Sequence, residues 1–244
     1  PVGFLKSLWS TAIMLSLKNL FPRFNTFEKF LWTISVAGVT VLFMFVPQKN
    51  PLTLIATITG VTSLIFVAKG NVIGQFLIVV FSVLYSIVSL EFHYYGEMIT
   101  YLFMSTPSAI FTAVLWLKNP AGTQKVEVKM AHLTPKKSAA ALILTVFATV
   151  IFYFVLKALN TANLEISTIS IATSMSAAVL MMMRVPYYAV AYATNDIVLI
   201  LMWLMASSKN PVYFPMVFNF MIFLANDIYG FVSWKRIRGK QERA

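Results

Sequence analysis

Eight long apolar runs constrain this chain more than any other feature. They fall at about 28–46, 51–68, 71–91, 95–117, 138–158, 165–184, 187–207 and 212–234. Each approaches or reaches the roughly 20 residues an α-helix needs to cross a bilayer. Hydrocarbon offers no partner for a free backbone N–H or C=O, so such runs must close their own hydrogen bonds as helices. Outer-membrane strands would show short alternating segments instead. Composition agrees, with 59% of the 244 residues hydrophobic and 11% charged, against about 25% charged in soluble domains. The expectation is an all-α, polytopic membrane protein with eight transmembrane helices.

Short breaks with turn chemistry separate several runs: PQKNP at 47–51, KGN at 69–71, RVP at 184–186 and KNP at 209–211. The connection from Asn119 to Lys137 is longer and lysine-rich, and predicts a polar, solvated, mobile loop. Residues 3–20 place Leu5, Leu8, Trp9, Ala12 and Ile13 on one helical face, as in a helix lying in the membrane interface. The sequence opens at Pro1 without a Met, so a natural N-terminus further upstream is expected. The first apolar run is a full span without a small-residue cleavage pattern, which argues against a cleavable signal peptide.

The net charge is +11. With eight spans, every Lys and Arg other than Lys49, Lys157 and Lys209 falls on one side, while Glu91, Glu97 and Glu165 fall on the other. A miscounted span would mix the two groups. By the positive-inside rule both termini are expected in the cytoplasm, and the basic charge marks topology rather than a nucleic-acid partner. The chain has no cysteine and two histidines, His93 and His132, both in predicted loops. No thiolate nucleophile or metal cluster can be built from these, so we expect no catalytic residue, no metal, no cofactor and no enzymatic activity.

Spans 2–4 and 6–8 share a rhythm. A Ser/Thr-rich span leads through a short basic turn to a second span with polar residues, and then to a third ending in Trp and a basic residue. Lys69 corresponds to Arg184 at an offset of 115, and Trp116 to Trp234 at 118. An intervening fifth span makes two three-helix units parallel, a 3+1+3 core with one extra N-terminal helix. The expected divisions are 1–50 for the interfacial helix and extra span, 51–119 for the first repeat, and 120–160 for a cytoplasmic loop and linker helix. The second repeat takes 161–237, and a basic tail 238–244.

Polar residues recur on helical faces within the spans. Span 3 carries Gln75, Ser82 and Tyr85; span 4 carries Glu97, Tyr101, Ser105 and Ser108. Span 7 carries Tyr188, Tyr192, Asn195 and Trp203; span 8 carries Asn219, Asn226 and Tyr229. Polar groups at membrane depth are costly and normally face a bundle interior or a cavity. Serines and threonines read best as interhelical packing groups. The asparagines read best as pocket lining, since each brings donors and acceptors. Amides beside aromatic rings suit a sugar, a nucleoside or a vitamin. Asp196 and Asp227 each follow an Asn, and are read either as proton or sodium sites or as structurally paired carboxylates. Tyr94, Tyr95, Trp116 and Trp234 lie near span ends and read as interfacial belt residues.

Several of these stretches resemble the PnuC family of bacterial nicotinamide riboside transporters, with the SWEET-like superfold. They are KGN with Gln75 at 69–75, YGE at 95–97, LWLKN at 115–119 and NDIYGFVSW at 226–234. The resemblance spans about residues 27–237. It implies a vitamin transporter in the bacterial inner membrane, working by facilitated diffusion with alternating access and driven by phosphorylation of the imported riboside. It also implies a homotrimer with one pathway per protomer. Related members carry thiamine or riboflavin, so another vitamin, or a sugar, with or without ion coupling, is the alternative. Members often carry Trp near the cytoplasmic end of the seventh span, where this chain has Tyr187 and Tyr188, and we place the ring-stacking role on Tyr188. The candidate substrate-binding set is Gln75, Ser82, Tyr85, Tyr101, Tyr188, Tyr192, Asn195, Trp203, Asn219, Asn226, Asp227 and Tyr229.

Overall fold

The computed structural model describes residues 22–45, 50–91, 95–121, 126–161 and 163–243. The interfacial helix expected at 3–20 and His93 lie outside the described residues. The elements are α1 (Thr26–Phe45), α2 (Pro51–Ala68), α3 (Ile73–Glu91), α4 (Tyr95–Thr100), a π-helical turn (Tyr101–Ser105), α5 (Thr106–Leu117), α6 (Pro135–Ala158), α7 (Leu164–Met182), α8 (Tyr188–Lys209) and α9 (Phe214–Gln241). The run from α4 through the π turn into α5 is one span. Among the described residues, 8 helices are long and apolar enough to cross a membrane.

Local chemistry explains the helix starts. Asn50 Oδ1 accepts from Leu52 N at 2.8 Å, with Pro51 opening α2. Thr134 and Pro135 repeat that arrangement at α6. A side-chain acceptor satisfies an orphan N–H, and proline at the first position has none to satisfy.

Six spans form a closed ring. α2 packs on α3, α3 on α5, α5 on α7, α7 on α8, α8 on α9, and α9 returns to α2. The first three belong to one repeat and the last three to the other, so two seams join the halves, α2/α9 and α5/α7. Helix α1 lies outside the ring against α2 and α9, and α6 lies outside against α7. The 3+1+3 plan with an extra helix is therefore the architecture.

The repeats match closely at their first turns. Gly70 N donates to Val67 O and Asn71 N to Phe66 O; Arg184 N donates to Met181 O and Val185 N to Leu180 O. Gly70 and Arg184 are both left-handed, at φ 62° and 61°. Residue for residue the offset here is 114, so Gly70 rather than Lys69 is the partner of Arg184. Glycine takes this left-handed conformation without strain, and the Met130 side chain packs into the space its missing Cβ leaves, with Cε 2.8 Å from where that Cβ would be.

What presses on Gly70 is the long connection, and here the expectation of a solvated, mobile loop fails. Val126, Val128 and Met130 are buried. Val72 N donates to Val126 O, Val128 N to Gly70 O, and Ala131 N to Arg184 O. Residues 126–131 thus form a strap that hydrogen-bonds to the first turn of both repeats. The tail is not free either, since α9 runs on to Gln241. The Gln241 side chain accepts from Met130 N at 2.8 Å and donates to Val128 O at 3.1 Å. A strap with apolar residues at alternate positions buries one face and bonds its backbone sideways, as a strand does.

Candidate functional site

Inside the ring lies a cavity of about 570 Å³, within the usual range for a small-molecule site. One end is plugged. Trp116 and Trp234, 1% and 0% exposed, pack ring to ring at 5.4 Å, and Tyr188 sits edge-on to Trp234 at 4.6 Å. The two indoles are latched crosswise. Trp116 Nε1 donates to Met181 O at 3.2 Å, and Trp234 Nε1 donates to Val67 O at 2.7 Å. Each sits on one repeat's third helix and bonds the end of the other repeat's first helix. The interfacial-belt reading of these two tryptophans is therefore overturned. The strap covers the same end. The lining continues to Leu159, Asn160, Thr161 and Asn163, in the α6–α7 connection at the opposite end.

Nine of the twelve candidate residues line this cavity: Gln75, Ser82 and Tyr85 from α3, Tyr101 from the π turn, Tyr188, Tyr192, Asn195 and Trp203 from α8, and Asp227 from α9. The Tyr85 and Tyr101 rings lie tilted against each other at 4.6 Å, and Phe81 meets Tyr101 edge-on at 5.7 Å. Gln75 reaches across the ring, its Nε2 2.9 Å from Met181 Sδ. Asn195 is held by α7, where Ser170 and Thr173 hydroxyls donate to its Oδ1 at 3.0 and 2.9 Å. Its Nδ2 is then the group it has left to offer.

The other three, Asn219, Asn226 and Tyr229, do not line the cavity. Successive residues on a helix are turned by about 100°. On α9 it is Phe220, Phe223 and Asp227 that face inward. Asn226 instead donates to Ser35 Oγ of α1 at 2.9 Å and to Ile222 O at 2.8 Å. Tyr229 Oη donates to Glu28 Oε1 at 2.7 Å. Asn219, two turns from Asn226, shares its side of the helix. Asn226 and Tyr229 hold α1 rather than a ligand.

Neighbouring Ser and Thr residues missed from the candidate set also line the cavity, among them Ser108 and Thr112 on α5 and Ser167, Ser170 and Ser174 on α7. The signal was visible as the i, i+3, i+7 spacing of Ser167, Ser170 and Ser174. Many such hydroxyls do serve as packing groups, bonding the carbonyl one turn back, as Thr112 does to Ser108 O and Ser174 to Ser170 O. Three buried polar atoms of the lining make no hydrogen bond within the protein: Ser82 Oγ, Asp196 Oδ2 and Trp203 Nε1. Buried polar atoms are nearly always satisfied, so such atoms facing a cavity are where a ligand or solvent is bonded. Among the described residues no group of His, Cys, Asp and Glu could hold a metal ion.

The family model for nicotinamide mononucleotide transporters matches residues 50–236. The chain belongs to that family. It is a family of membrane transporters, not of enzymes. A nicotinamide riboside transporter PnuC from Neisseria mucosa is 28% identical over 226 residues, covering 90% of this chain and 85% of that protein. A second, from Haemophilus influenzae, is 24% identical over 189 residues, covering 76% and 80%. Among solved structures, the crystal structure of the vitamin B3 transporter PnuC superposes with a TM-score of 0.77 at 26% identity, over 93% of this chain and 99% of that one. The family match begins at residue 50, so α1 lies outside it.

Proposed function

We propose that this protein carries nicotinamide riboside across the bacterial inner membrane by facilitated diffusion. The relatives are named for that substrate, and the cavity suits a flat ring joined to a hydroxyl-rich sugar. The observation that carries the reading is the lining itself: clustered aromatic rings on both repeats, with the unbonded Ser82, Asp196 and Trp203 atoms among them. Tyr188 and Tyr192 stack on the ring, while Gln75, Ser82 and Asn195 bond its polar edges. Alternating access comes from the two three-helix halves rocking about the cavity. The crosswise tryptophans part to open the basic end, which is cytoplasmic by charge. Both termini lie in the cytoplasm, and three protomers assemble with a pathway in each.

Uptake into proteoliposomes tests this. Labelled nicotinamide riboside should equilibrate down its gradient at a rate indifferent to imposed proton or sodium gradients. A thermal-shift panel of nicotinamide riboside, thiamine and riboflavin ranks the substrates, because a binder stabilises the folded state by mass action. Stabilisation by thiamine or riboflavin alone would replace the assigned cargo.

A further inference from the structure

Asp196 of α8 and Asp227 of α9 are 4% and 7% exposed, both line the cavity, and their carboxyl groups lie within hydrogen-bonding reach of each other. We infer that this pair recognises a positive charge on the cargo, so that the cavity selects a flat organic monocation over an uncharged ring of the same shape. The inference rests on the proposed function and adds the substrate's charge to it.

A carboxylate only accepts hydrogen bonds, so a bond between two carboxyl groups requires a proton on one of them. With a single proton between them the pair carries one negative charge. Nothing in the cavity cancels it, for no Lys, Arg or His is among the described residues that line it. The basic residues of the nearest turns are engaged elsewhere: Lys69 Nζ pairs with Glu28 at 3.0 Å, and Arg184 Nη1 donates to Lys129 O at 3.2 Å. An uncompensated charge at membrane depth is costly, and the cost is relieved when a cation arrives.

Two independent details point to a ligand rather than a closed structural pair. Apart from the Asp227 carboxyl, nothing in the protein bonds Asp196 Oδ2 although it is buried, and the fully buried Ser82 hydroxyl, on α3 of the other repeat, makes no hydrogen bond. The surroundings favour an organic cation over a metal ion. A hard cation such as calcium takes six to eight oxygen ligands, whereas Asn195 Oδ1 is already taken by Ser170 and Thr173. Close to Asp227 lie Tyr188 and Tyr192, whose ring faces attract a delocalised positive charge. Nicotinamide riboside has such a charge on its glycosylated ring nitrogen. Its dihydropyridine form has nearly the same shape and polar groups and none.

Titration calorimetry on the purified full chain, comparing these two compounds, decides the matter. The wild type should bind the cation about ten-fold or more tighter than the dihydro form, corresponding to at least 1.4 kcal/mol. Asp227→Asn should keep most of that preference, because the amide replaces the protonated carboxyl as donor while Asp196 retains the charge. Asp196→Asn with Asp227→Asn should bring the ratio to about one, with the dihydro form still bound, which also shows that the variant is folded. Equal binding of both compounds by the wild type overturns the inference while leaving the transport function standing. So does a double variant that keeps the preference, or a wild type that needs sodium to bind either compound. Binding of neither compound by the wild type removes the assigned substrate, and this inference with it.

Discussion

The two seams that join the repeats are built from different materials. At α2/α9 the covering helix α1 adds polar contacts to an apolar one, in which Leu31 packs with Ile65 and Phe66. Glu28 accepts from both Lys69 and Tyr229, Asn226 donates to Ser35, and Trp32 Nε1 donates to Thr62 Oγ1 at 3.1 Å. Glu28 also completes a reciprocal cap with Asn25, at 2.7 and 2.9 Å. At α5/α7 the covering helix is α6, and its contact is apolar: Leu156 packs with Met104 of the π turn and Ile171 of α7. In a bilayer, apolar contacts compete with equally apolar lipid tails, whereas polar contacts have fixed partners and directions. The first seam is thus a fixed joint and the second a sliding one. Rocking of the halves should open α5/α7 and spare α2/α9.

Cross-linking breaks or sharpens this contrast most directly, and the absence of native cysteine makes it clean. Met104→Cys with Ile171→Cys, joined by a short reducible linker, should reduce uptake to background until reductant is added. Ser35→Cys with Asn226→Cys, joined likewise, should leave uptake near the unmodified rate. The reverse pattern would exchange the roles of the seams. Next in size is Glu28→Ala, which leaves Lys69 and Tyr229 without their acceptor. Unfolding in detergent should show a loss of about 3 kcal/mol, with substrate affinity unchanged because Glu28 does not line the cavity. Trp116→Phe and Trp234→Phe each remove one crosswise N–H while keeping a ring. Each should cost about 1 kcal/mol, and a large inequality between them would show that the plugged end is less symmetric than its hydrogen bonds. The smallest stability change is expected for Asn226→Leu, about 0.6 kcal/mol by the scale of interhelical hydrogen bonds in membranes. Calorimetry should find its affinity for nicotinamide riboside unaltered, while Asn195→Leu weakens it.

The spans were legible because a bilayer leaves few alternatives to a long apolar helix, and the charge pattern fixed their number. The repeat was legible from its Trp-basic endings, although the offset at the first turn differs by one. Facing was harder. Asn226 and Asp227 are neighbours of similar polarity, and only packing shows that the first holds α1 and the second enters the cavity. Hydropathy cannot separate a polar group that bonds a neighbouring helix from one that awaits a ligand. The tryptophans elude a sequence reading for a related reason, since a span end is a common place for a belt residue and burial under a strap is a tertiary fact. The strap itself had a local signal, Val126, Val128 and Met130 at alternate positions, hidden among lysines and glutamate.

The π turn carries a consequence for variation in chain length. Tyr101 O accepts from both the N–H and the hydroxyl of Thr106, five residues on, so this turn holds one residue more than an α-turn would. Tyr101 and Ser105 before Pro107, and Ser108 and Thr112 after it, all contribute to one wall. Deleting a single residue between 101 and 105 would do more than shorten the span. It would turn one half of the helix by about 100° against the other, carrying either Tyr101 out of the wall or Trp116 away from Met181. A relative lacking that residue must build this wall from a different set of side chains, and alignments gapped at any other point of the span would pair the wrong positions.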